Sequence, residues 1–377
     1  MIHNPGILIT ILAFALVIGP LIFVHEMGHY LAGRLFGTRV DAFSIGFGTE
    51  IAGWTDRRGT RWKLSAFPLG GYVKFAGDMN AASEPDPAWL ELPPAERAMT
   101  LPGKPVWQRA IIVAAGPVVN LLLAVLILAG FAFAYGENIT PSVVGGVVAG
   151  TPAARAGLQA GDRITALGGR AVETYGDMVG FTVLRPGEPI TIDFVRGGTT
   201  HRASATIGTV VTKDKFGNAG KIGQLGIRPA PLVTRPVSLM AAPYVGLRMV
   251  ADILVGQVEA IGQIVTGRRS VDELGGPLKI AQYSGQQFTL GVAPAIWFIA
   301  MVSINLGFIN LLPIPILDGG HLFFYAIEAV RRRPVEPHVQ EWAFRGGLAA
   351  ILALMLFVTF NDLAGFGLWT KLGGLIG

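Results

Sequence analysis

The stretch FVHEMGHYLAG, residues 23–33, places two histidines and a glutamate at the end of an apolar run. The eighteen residues from 7 to 24 carry no charge, and an apolar run of that length predicts a transmembrane helix. Ionisable side chains inside a membrane helix are energetically costly and usually mark function. The sequence therefore raises the question of what a membrane helix uses His25, Glu26 and His29 for.

The spacing of these three residues favours a metal site. On an α-helix, His25 and His29 lie about 40° apart on one face, so both imidazoles can reach one ion. The pattern H-E-x-x-H is typical of metalloproteases, in which the histidines bind zinc and the glutamate acts as a general base. A bound metal also offsets the cost of burying ionisable groups in a membrane.

A catalytic zinc site normally has three protein ligands and one open position, so a third ligand must come from elsewhere. The best candidate is Asp318, in the stretch INLLPIPILDGGH, residues 309–321. Pro313 and Pro315 break the helix before it, and the two glycines after it allow close backbone approach. His321 is a competing ligand on composition alone. The sequence does not exclude three further histidines, His3, His201 and His338.

The composition is that of an integral membrane protein. Of 377 residues, 51% are hydrophobic and only 15% are charged, against roughly 25% charged in soluble domains. The absence of cysteine excludes disulfides, thiolate metal sites and a cysteine nucleophile. The net charge of +5 is explained by basic residues that flank membrane segments, so no nucleic-acid partner is expected. The N-terminal MIHNPG lacks a basic region, so we expect the first helix to be retained rather than cleaved as a signal peptide.

Three more apolar runs predict transmembrane helices, at about 110–136, 292–317 and 342–360. The loops between helices 1 and 2 and between helices 3 and 4 are rich in lysine and arginine, which is typical of cytoplasmic loops. Residues 137–290 then lie outside the cytoplasm. Since His25 follows Ile7 by about 27 Å of helix, the site is expected near the cytoplasmic side of a core about 30 Å thick.

The segments between the predicted helices also carry structure. Period-two patterns such as ITIDFVRGG and HRASATI predict a hairpin in a small exported β-rich domain. The helix expected at 239–267 has a narrow polar stripe, so it either lies on the membrane surface or packs on the exported domain. In the first cytoplasmic loop, FSIGFGTEIAGW and TRWKLSAFPLGGYVKFAG predict paired strands around TDRRG, which can dip toward the bilayer if protein covers them.

Together these features resemble the site-2 protease family of intramembrane zinc metalloproteases, and most closely its RseP-type bacterial branch, the regulators of sigma-E. HEMGH in the first helix, AAGPVVN at 114–120 and NLLPIPILDGGH at 310–321 carry the resemblance, together with GFG at 46–48 and PLGGYVKFAGD at 68–78. It extends over essentially the whole chain. The implied fold is a polytopic α-helical membrane protein with four transmembrane helices, a membrane-associated β element and one exported PDZ-like domain of permuted strand order.

The resemblance also implies roles for particular residues. His25, His29 and Asp318 would bind Zn2+, Glu26 would act as base and acid, and His321 would be only a neighbour. Asn310 would contact the unfolded substrate backbone. The other expected substrate-binding residues are Asn120, Gly46 and Gly48, with Gly223, Leu225, Gly226 and Ile227 near the PDZ groove. For Asn120, support of the site and simple packing are the alternatives.

The implied function is hydrolysis of a peptide bond within or near the transmembrane segment of a single-span protein. The expected substrate is an anti-sigma factor already cut by a site-1 protease, in regulated intramembrane proteolysis during the envelope stress response. The lipid bilayer and a peptide ligand of the PDZ domain are the other expected partners. The expected location is the bacterial inner membrane, with the PDZ domain in the periplasm. One departure is that the well-known enterobacterial member has tandem PDZ domains, whereas this chain has room for one.

The expected domains follow from these assignments. They are helix 1 at 1–37, the cytoplasmic loop with the β element at 38–104, helix 2 at 105–136, the PDZ domain at 137–232, the amphipathic region at 233–290, helix 3 at 291–330, and the basic loop with helix 4 at 331–377.

Two other functions could use the same site residues. A metal or proton transporter would leave the peptide-binding domain and the strand-forming loop without a role, and the intact H-E-x-x-H argues against a PDZ scaffold with a degenerate site.

Overall fold

The computed structural model describes residues 6–78, 87–213, 219–266 and 275–365. His3 and the end of the expected helix at 239–267 lie outside these residues. The α-helices are α1 (Ile7–Leu35), α2 (Pro94–Arg97), α3 (Val106–Tyr135), α4 (Pro152–Arg155), α5 (Tyr175–Val183), α6 (Ala242–Val265), α7 (Pro277–Leu290), α8 (Val292–Leu311), α9 (Asp318–Arg331) and α10 (Pro337–Gly365). The strands are β1 (Val40–Thr55), β2 (Arg61–Phe75), β3 (Glu137–Ile139), β4 (Val144–Val147), β5 (Arg163–Leu167), β6 (Arg170–Ala171), β7 (Pro189–Arg196), β8 (Thr199–Thr206), β9 (Gly208–Lys213), β10 (Ala219–Gln224), β11 (Ile227–Pro229) and β12 (Val233–Arg235).

Four helices of the described chain are long and apolar enough to cross a membrane: α1, α3, α8 and residues 338–363 of α10. Only 17% to 39% of their most apolar segments is buried by the protein, so most of this apolar surface requires lipid around it. The four predicted transmembrane helices are thus confirmed. The third begins at Val292 as expected, after Gly291 with φ +119°, but it ends at Leu311, before Pro313 and Pro315.

The predicted paired strands around TDRRG are confirmed, and each strand also bends. Residues 42–45 of β1 pair on one side with 71–74 of β2 and on the other with 61–64 of the same strand. Gly46 and Gly48, with φ of +90° and +85°, allow the bend in β1, because this conformation is unfavourable for other residues. As a result, residues 71–75 form an edge of the sheet, and the described chain adds no further strand there.

A second compact unit consists mainly of residues 130–245. Its four-stranded antiparallel sheet has the order β6-β5-β7-β8, and three two-stranded pairs and the helices α4 and α5 complete it. The predicted hairpin is confirmed as β7 and β8, joined by Gly197 and Gly198 at positive φ, as a tight two-residue turn requires. Ile164, Leu167 and Ile192 are completely buried in its core. This β-rich unit is the expected PDZ-like domain.

The helix α6 makes a contact that neither sequence-based alternative included. Its Val250 is 3% exposed and packs in one cluster with Leu128 of α3 and Ala300 of α8. The polar stripe therefore belongs to a helix that is also part of the membrane-helix packing. The first turn of α7 is held by Asp362 of α10. The carboxylate of Asp362 accepts hydrogen bonds from the backbone amides of Gly276 and Lys279.

Candidate metal centre

The two helices that carry the first motifs cross at glycines. A Cβ at Gly28 would lie 2.6 Å from the carbonyl oxygen of Ala115 in α3, and one at Gly116 would overlap Nε2 of His29. Helices approach this closely only where small residues meet. The glycines inside HEMGH and AAGP thus bring the backbone of α3 against the histidines of α1.

Side chains of three residues with metal-binding atoms converge at this crossing. Nε2 of His25 lies 3.2 Å from Nε2 of His29 and 3.2 Å from Oδ2 of Asp318, and Nε2 of His29 lies 3.5 Å from Oδ1 of Asp318. Ligands at the bond lengths of a tetrahedral zinc ion, about 2.1 Å, are separated from one another by about 3.4 Å. The spacings among the two imidazole nitrogens and the Asp318 carboxylate are therefore close to those between ligands of one tetrahedral zinc ion, and such a site would keep its fourth position for water or substrate.

The outer nitrogens of both imidazoles are held by α3. Nδ1 of His29 lies 2.9 Å from the carbonyl oxygen of Ile112, and Nδ1 of His25 lies 3.2 Å from Nδ2 of Asn120. A neutral imidazole that binds a metal through Nε2 carries its proton on Nδ1 and needs an acceptor there. Ile112 supplies one to His29. Asn120 can supply one to His25 when its amide turns over, because Oδ1 is buried without a hydrogen-bond partner in the described residues.

The position of Asn120 behind His25 can be compared with its expected role. From the sequence, Asn120 was expected among the substrate-binding residues. The residue is 0% exposed and lies behind His25. Its backbone carbonyl accepts a hydrogen bond from Ser303 of α8. This contact with His25 fits the alternative in which Asn120 supports the site, and its role stays a prediction.

Asp318 reaches the histidines because the chain breaks sharply after α8. The helix ends at Leu311, Ile316 has φ +85°, and Asp318 is the first residue of α9. A positive φ at a β-branched residue is strained and persists only where the surroundings enforce it. A Cβ at Gly319 would overlap the carbonyl oxygen of Leu312, so only glycine permits this tight return of the backbone.

Glu26 lies on the buried side of α1, next to the sheet edge. It is 7% exposed. A Cβ at Gly71 would lie 2.9 Å from Cγ of Glu26 and 2.8 Å from Cγ2 of Ile22. The face of the edge strand at 71–75 therefore rests on the helix turn that carries the glutamate. An extended chain added to that edge would run beside Glu26.

The remaining predicted residues lie at three places. Asn310 is half-buried in the last turn of α8, and its side chain makes no hydrogen bond to a described residue. His321 is buried, and its ring packs at a tilt against Phe344 with 4.9 Å between ring centroids; among the described residues, the group that could hold a metal consists of His25, His29 and Asp318. Gly46 and Gly48 lie at the bend of β1. The four PDZ residues at 223–227 line a groove in the second unit.

Sequence reasoning missed the contributions of four residues to this centre. The Ile112 carbonyl is a backbone group and leaves no sequence signal. Gly71 was noticed only as part of a motif, although the pair Gly70–Gly71 in an otherwise β-forming run is itself a signal of close backbone approach. Gly28 and Gly116 could have been found as small residues on two adjacent membrane helices.

Comparisons with known proteins agree on one family. The model of peptidase family M50 matches residues 13–354. A protein of Agrobacterium fabrum that carries the name of a zinc metalloprotease is 47% identical over 94% of this chain and 95% of its own length. One of Rhizobium meliloti is 43% identical over 94% of this chain and 96% of its own. The metalloprotease MmpA of Caulobacter vibrioides is 39% identical over 98% of this chain and 99% of its own.

Among solved structures, the PDZ domain of an SdrC-like protein from Listeria monocytogenes matches 24% of this chain and 87% of its own length, with 25% identity and a TM-score of 0.19. The family model and the relatives, in contrast, extend over almost the whole sequence. They include the histidines of α1 and the aspartate at the start of α9. The chain therefore belongs to peptidase family M50, and its enzyme class is zinc metalloprotease.

Proposed function

We propose that this enzyme holds Zn2+ with His25, His29 and Asp318 and cuts single-span membrane proteins within or near their transmembrane segment. The observation that carries the proposal is the convergence of these three side chains: Nε2 of His25 lies 3.2 Å from Nε2 of His29, and the Asp318 carboxylate oxygens lie 3.2 and 3.5 Å from these two nitrogens. When bound, zinc supplies Lewis-acid polarisation of the scissile carbonyl and makes a water molecule more acidic.

Glu26 is the general base in this proposal. It directly follows His25 in α1 and is buried together with the two histidines, which supports this role. There it takes a proton from the attacking water and passes it to the leaving amine. Burial beside the edge strand shields this proton transfer from bulk solvent. Asn120 and Ile112 hold the two imidazoles so that each turns Nε2 toward the centre.

The substrate must be extended at the cut, because a helical peptide bond is shielded by its own hydrogen-bonded turn. The edge at residues 71–75 offers a strand to which such a segment can add by main-chain hydrogen bonds. Gly46 and Gly48 support this role indirectly, since they bend β1 so that it pairs with both parts of β2. Asn310, with a side-chain amide free of described partners, is placed in the same proposal as a contact to the substrate backbone.

The finer assignments complete the proposal. The substrate is an anti-sigma factor already cut by a site-1 protease, and the pathway is the envelope stress response. The enzyme lies in the inner membrane, with the PDZ domain in the periplasm and the metal centre near the cytoplasmic side. The charge pattern of the two basic loops supports this orientation. The domain boundaries are those expected from the sequence, and Gly223, Leu225, Gly226 and Ile227 form the peptide-binding part of the PDZ domain.

The test is to map the cut. Purified enzyme is incubated in detergent with a single-span anti-sigma factor truncated on its outer side, and the products are identified by mass spectrometry. The matched control is the untruncated protein. The expected result is one cut within or next to the apolar segment of the truncated form only. Cuts confined to soluble parts, or none with zinc bound, would refute the proposed substrate and favour an ion-flux assay for transport.

A further inference from the structure

The start of α3 is hydrogen-bonded to both helices that carry the predicted metal ligands, α1 and α9. Nζ of Lys104, two residues before α3, donates to the carbonyl of Phe36, just after α1, at 2.7 Å. Nε of Arg109 donates to the carbonyl of Lys104 at 3.0 Å, and Nη2 of Arg109 donates to Oε1 of Glu328 in α9 at 2.6 Å. A chain of hydrogen bonds thus joins the end of α1 to the side of α9.

The contact between Arg109 and Glu328 defines a direction as well as a distance. The two side chains are only 15% and 16% exposed. The guanidinium carbon of Arg109 also lies 4.9 Å from the ring centroid of Tyr325, which precedes Glu328 by one helical turn and shares its face of α9. A planar guanidinium that lies over a ring and donates to a carboxylate holds its partner in one orientation. Arg109 therefore contacts α9 at two points.

Close packing does not replace this contact. Arg109, Tyr325 and Glu328 line one wall of a cavity of about 480 Å³, so neighbouring side chains do not wedge this side of α9. Elsewhere on α9, Phe324 packs in an apolar cluster with Val335 and Phe344. Apolar contacts are non-directional, and they tolerate small rotations of a helix. The polar link therefore sets how α9 is turned about its axis.

Both ends of this link lead to the metal centre. Arg109 precedes Ile112 by one turn of α3, and the Ile112 carbonyl lies 2.9 Å from Nδ1 of His29. On the other side, Asp318 is the first residue of the helix that carries Glu328. Side-chain atoms lie about 5–6 Å from a helix axis, so a turn of α9 by about 20° would move the Asp318 carboxylate by about 2 Å. Such a shift is large beside the 3.2 and 3.5 Å that separate its oxygens from the histidine nitrogens.

We propose that Arg109 and Glu328 are positioning residues of the metal centre: by fixing the rotation of α9 against α3, they set the Asp318 carboxylate relative to His29. This inference rests on the proposed function, because it takes Asp318 and His29 as metal ligands. Stability alone does not require the pair, since apolar side chains of similar size often hold helices together equally well or better. What the charged pair adds is orientation.

The test separates orientation from stability. The main variant is Arg109→Met with Glu328→Met, which replaces both charges by apolar side chains and leaves no buried charge unpaired. Glu328→Asp keeps both charges and shortens the link by one methylene group, so it decides the matter if the double variant does not fold. The matched control is Glu341→Met with Arg345→Met, an exposed ion pair within α10. All proteins are full-length and in detergent.

Three properties are measured for each protein: the Tm, the visible absorption spectrum of the Co2+-loaded protein, and kcat and KM for the truncated single-span substrate. Co2+ is the probe because its spectrum depends on the arrangement of its ligands. For the double variant we expect a Tm at or above the wild-type value, an altered spectrum and a kcat about 10- to 100-fold lower. Its KM should be unchanged, because the edge at residues 71–75 is untouched. Glu328→Asp should show a smaller change of the same kind, and the control should match the wild type.

A folded double variant with the wild-type spectrum and kcat would overturn the proposal, whatever its Tm. If the double variant does not fold, Glu328→Asp with both properties unchanged would overturn it. Failure of the proposed function shows separately. A wild-type protein that takes up no Co2+ would refute the metal centre and this inference with it, whereas a wild-type protein that binds Co2+ without cutting the substrate leaves the spectra to decide.

Discussion

The hydrogen bond between Asn120 and His25 predicts a specific effect on metal affinity. Asn120 is completely buried, and its amide is the group placed at Nδ1 of His25. Replacing it with leucine keeps the volume but leaves the Nδ1 proton of a metal-binding His25 without an acceptor. Loss of such a partner typically costs 10- to 100-fold in metal affinity, or about 1.4–2.8 kcal/mol. Asn120→Leu is therefore expected to bind zinc about 10- to 100-fold more weakly.

Asn120→Asp provides the rescue, because a carboxylate accepts the same proton. It should bind zinc at least as tightly as the wild type. Asn305→Leu is the matched control, since Asn305 also lies in a membrane helix but bonds to Gln257. The assay is competition for zinc with a chromogenic chelator in detergent, and thermal unfolding of each variant checks its fold. Zinc binding by Asn120→Leu that equals the wild type would refute the argument that Asn120 orients His25.

Three further outcomes are expected. Gly28→Ala places a Cβ 2.6 Å from the Ala115 carbonyl and should destabilise the helix crossing by about 1–3 kcal/mol, seen as a lower Tm; an unchanged Tm would contradict the tight crossing. Gly71→Ala should lower kcat while zinc content stays at the wild-type level, because the added Cβ would displace the side chain of Glu26 in α1. Loss of zinc in this variant would contradict an effect limited to Glu26. The Arg196 guanidinium hydrogen-bonded to Asp162 holds the pKa of that carboxyl below its usual range, so its stabilisation is present above about pH 4 and is lost as the pH falls through the folded-state pKa. Arg196→Met should lower the stability of the unit at pH 7 and weaken this acid dependence, as measured by hydrogen exchange of β5 and β7; an unaltered pH profile would contradict it.

The membrane fold could be predicted from the sequence because its signals are local. Apolar runs mark the spans, basic loops indicate their orientation, and period-two patterns mark β1, β2 and the hairpin. Helix ends were less certain where apolar runs continue through a turn. The uncharged run from 280 to 317 includes most of α7 and all of α8, and Gly291 with its positive φ separates the two helices.

The metal site was predictable for a different reason. The spacing of His25 and His29 fixes one face of a helix, and the residue types around Asp318 predict a broken helix. What joins these segments is not local. The Ile112 carbonyl has no side-chain signature, and the contact between Gly71 and Glu26 depends on a bend in β1 and on the register of β2.

The PDZ-like unit shows the same limit. The stretch GQLGI, residues 223–227, indicated the position of the groove from the sequence alone. That Ile227 directs its carbonyl toward α5, and that Tyr175 reaches it, follows only from strand direction and helix placement.

The most direct test of the central claim compares the wild type with Glu26→Gln for both zinc content and cleavage of the truncated single-span substrate. Metal content is measured by mass spectrometry on purified protein, and cleavage is followed on the same samples. We expect one zinc per chain in both proteins and cleavage by the wild type alone, because the ligands are intact and only the base is lost. Cleavage by Glu26→Gln at the wild-type rate, or a wild-type protein that cuts without zinc, would contradict the account.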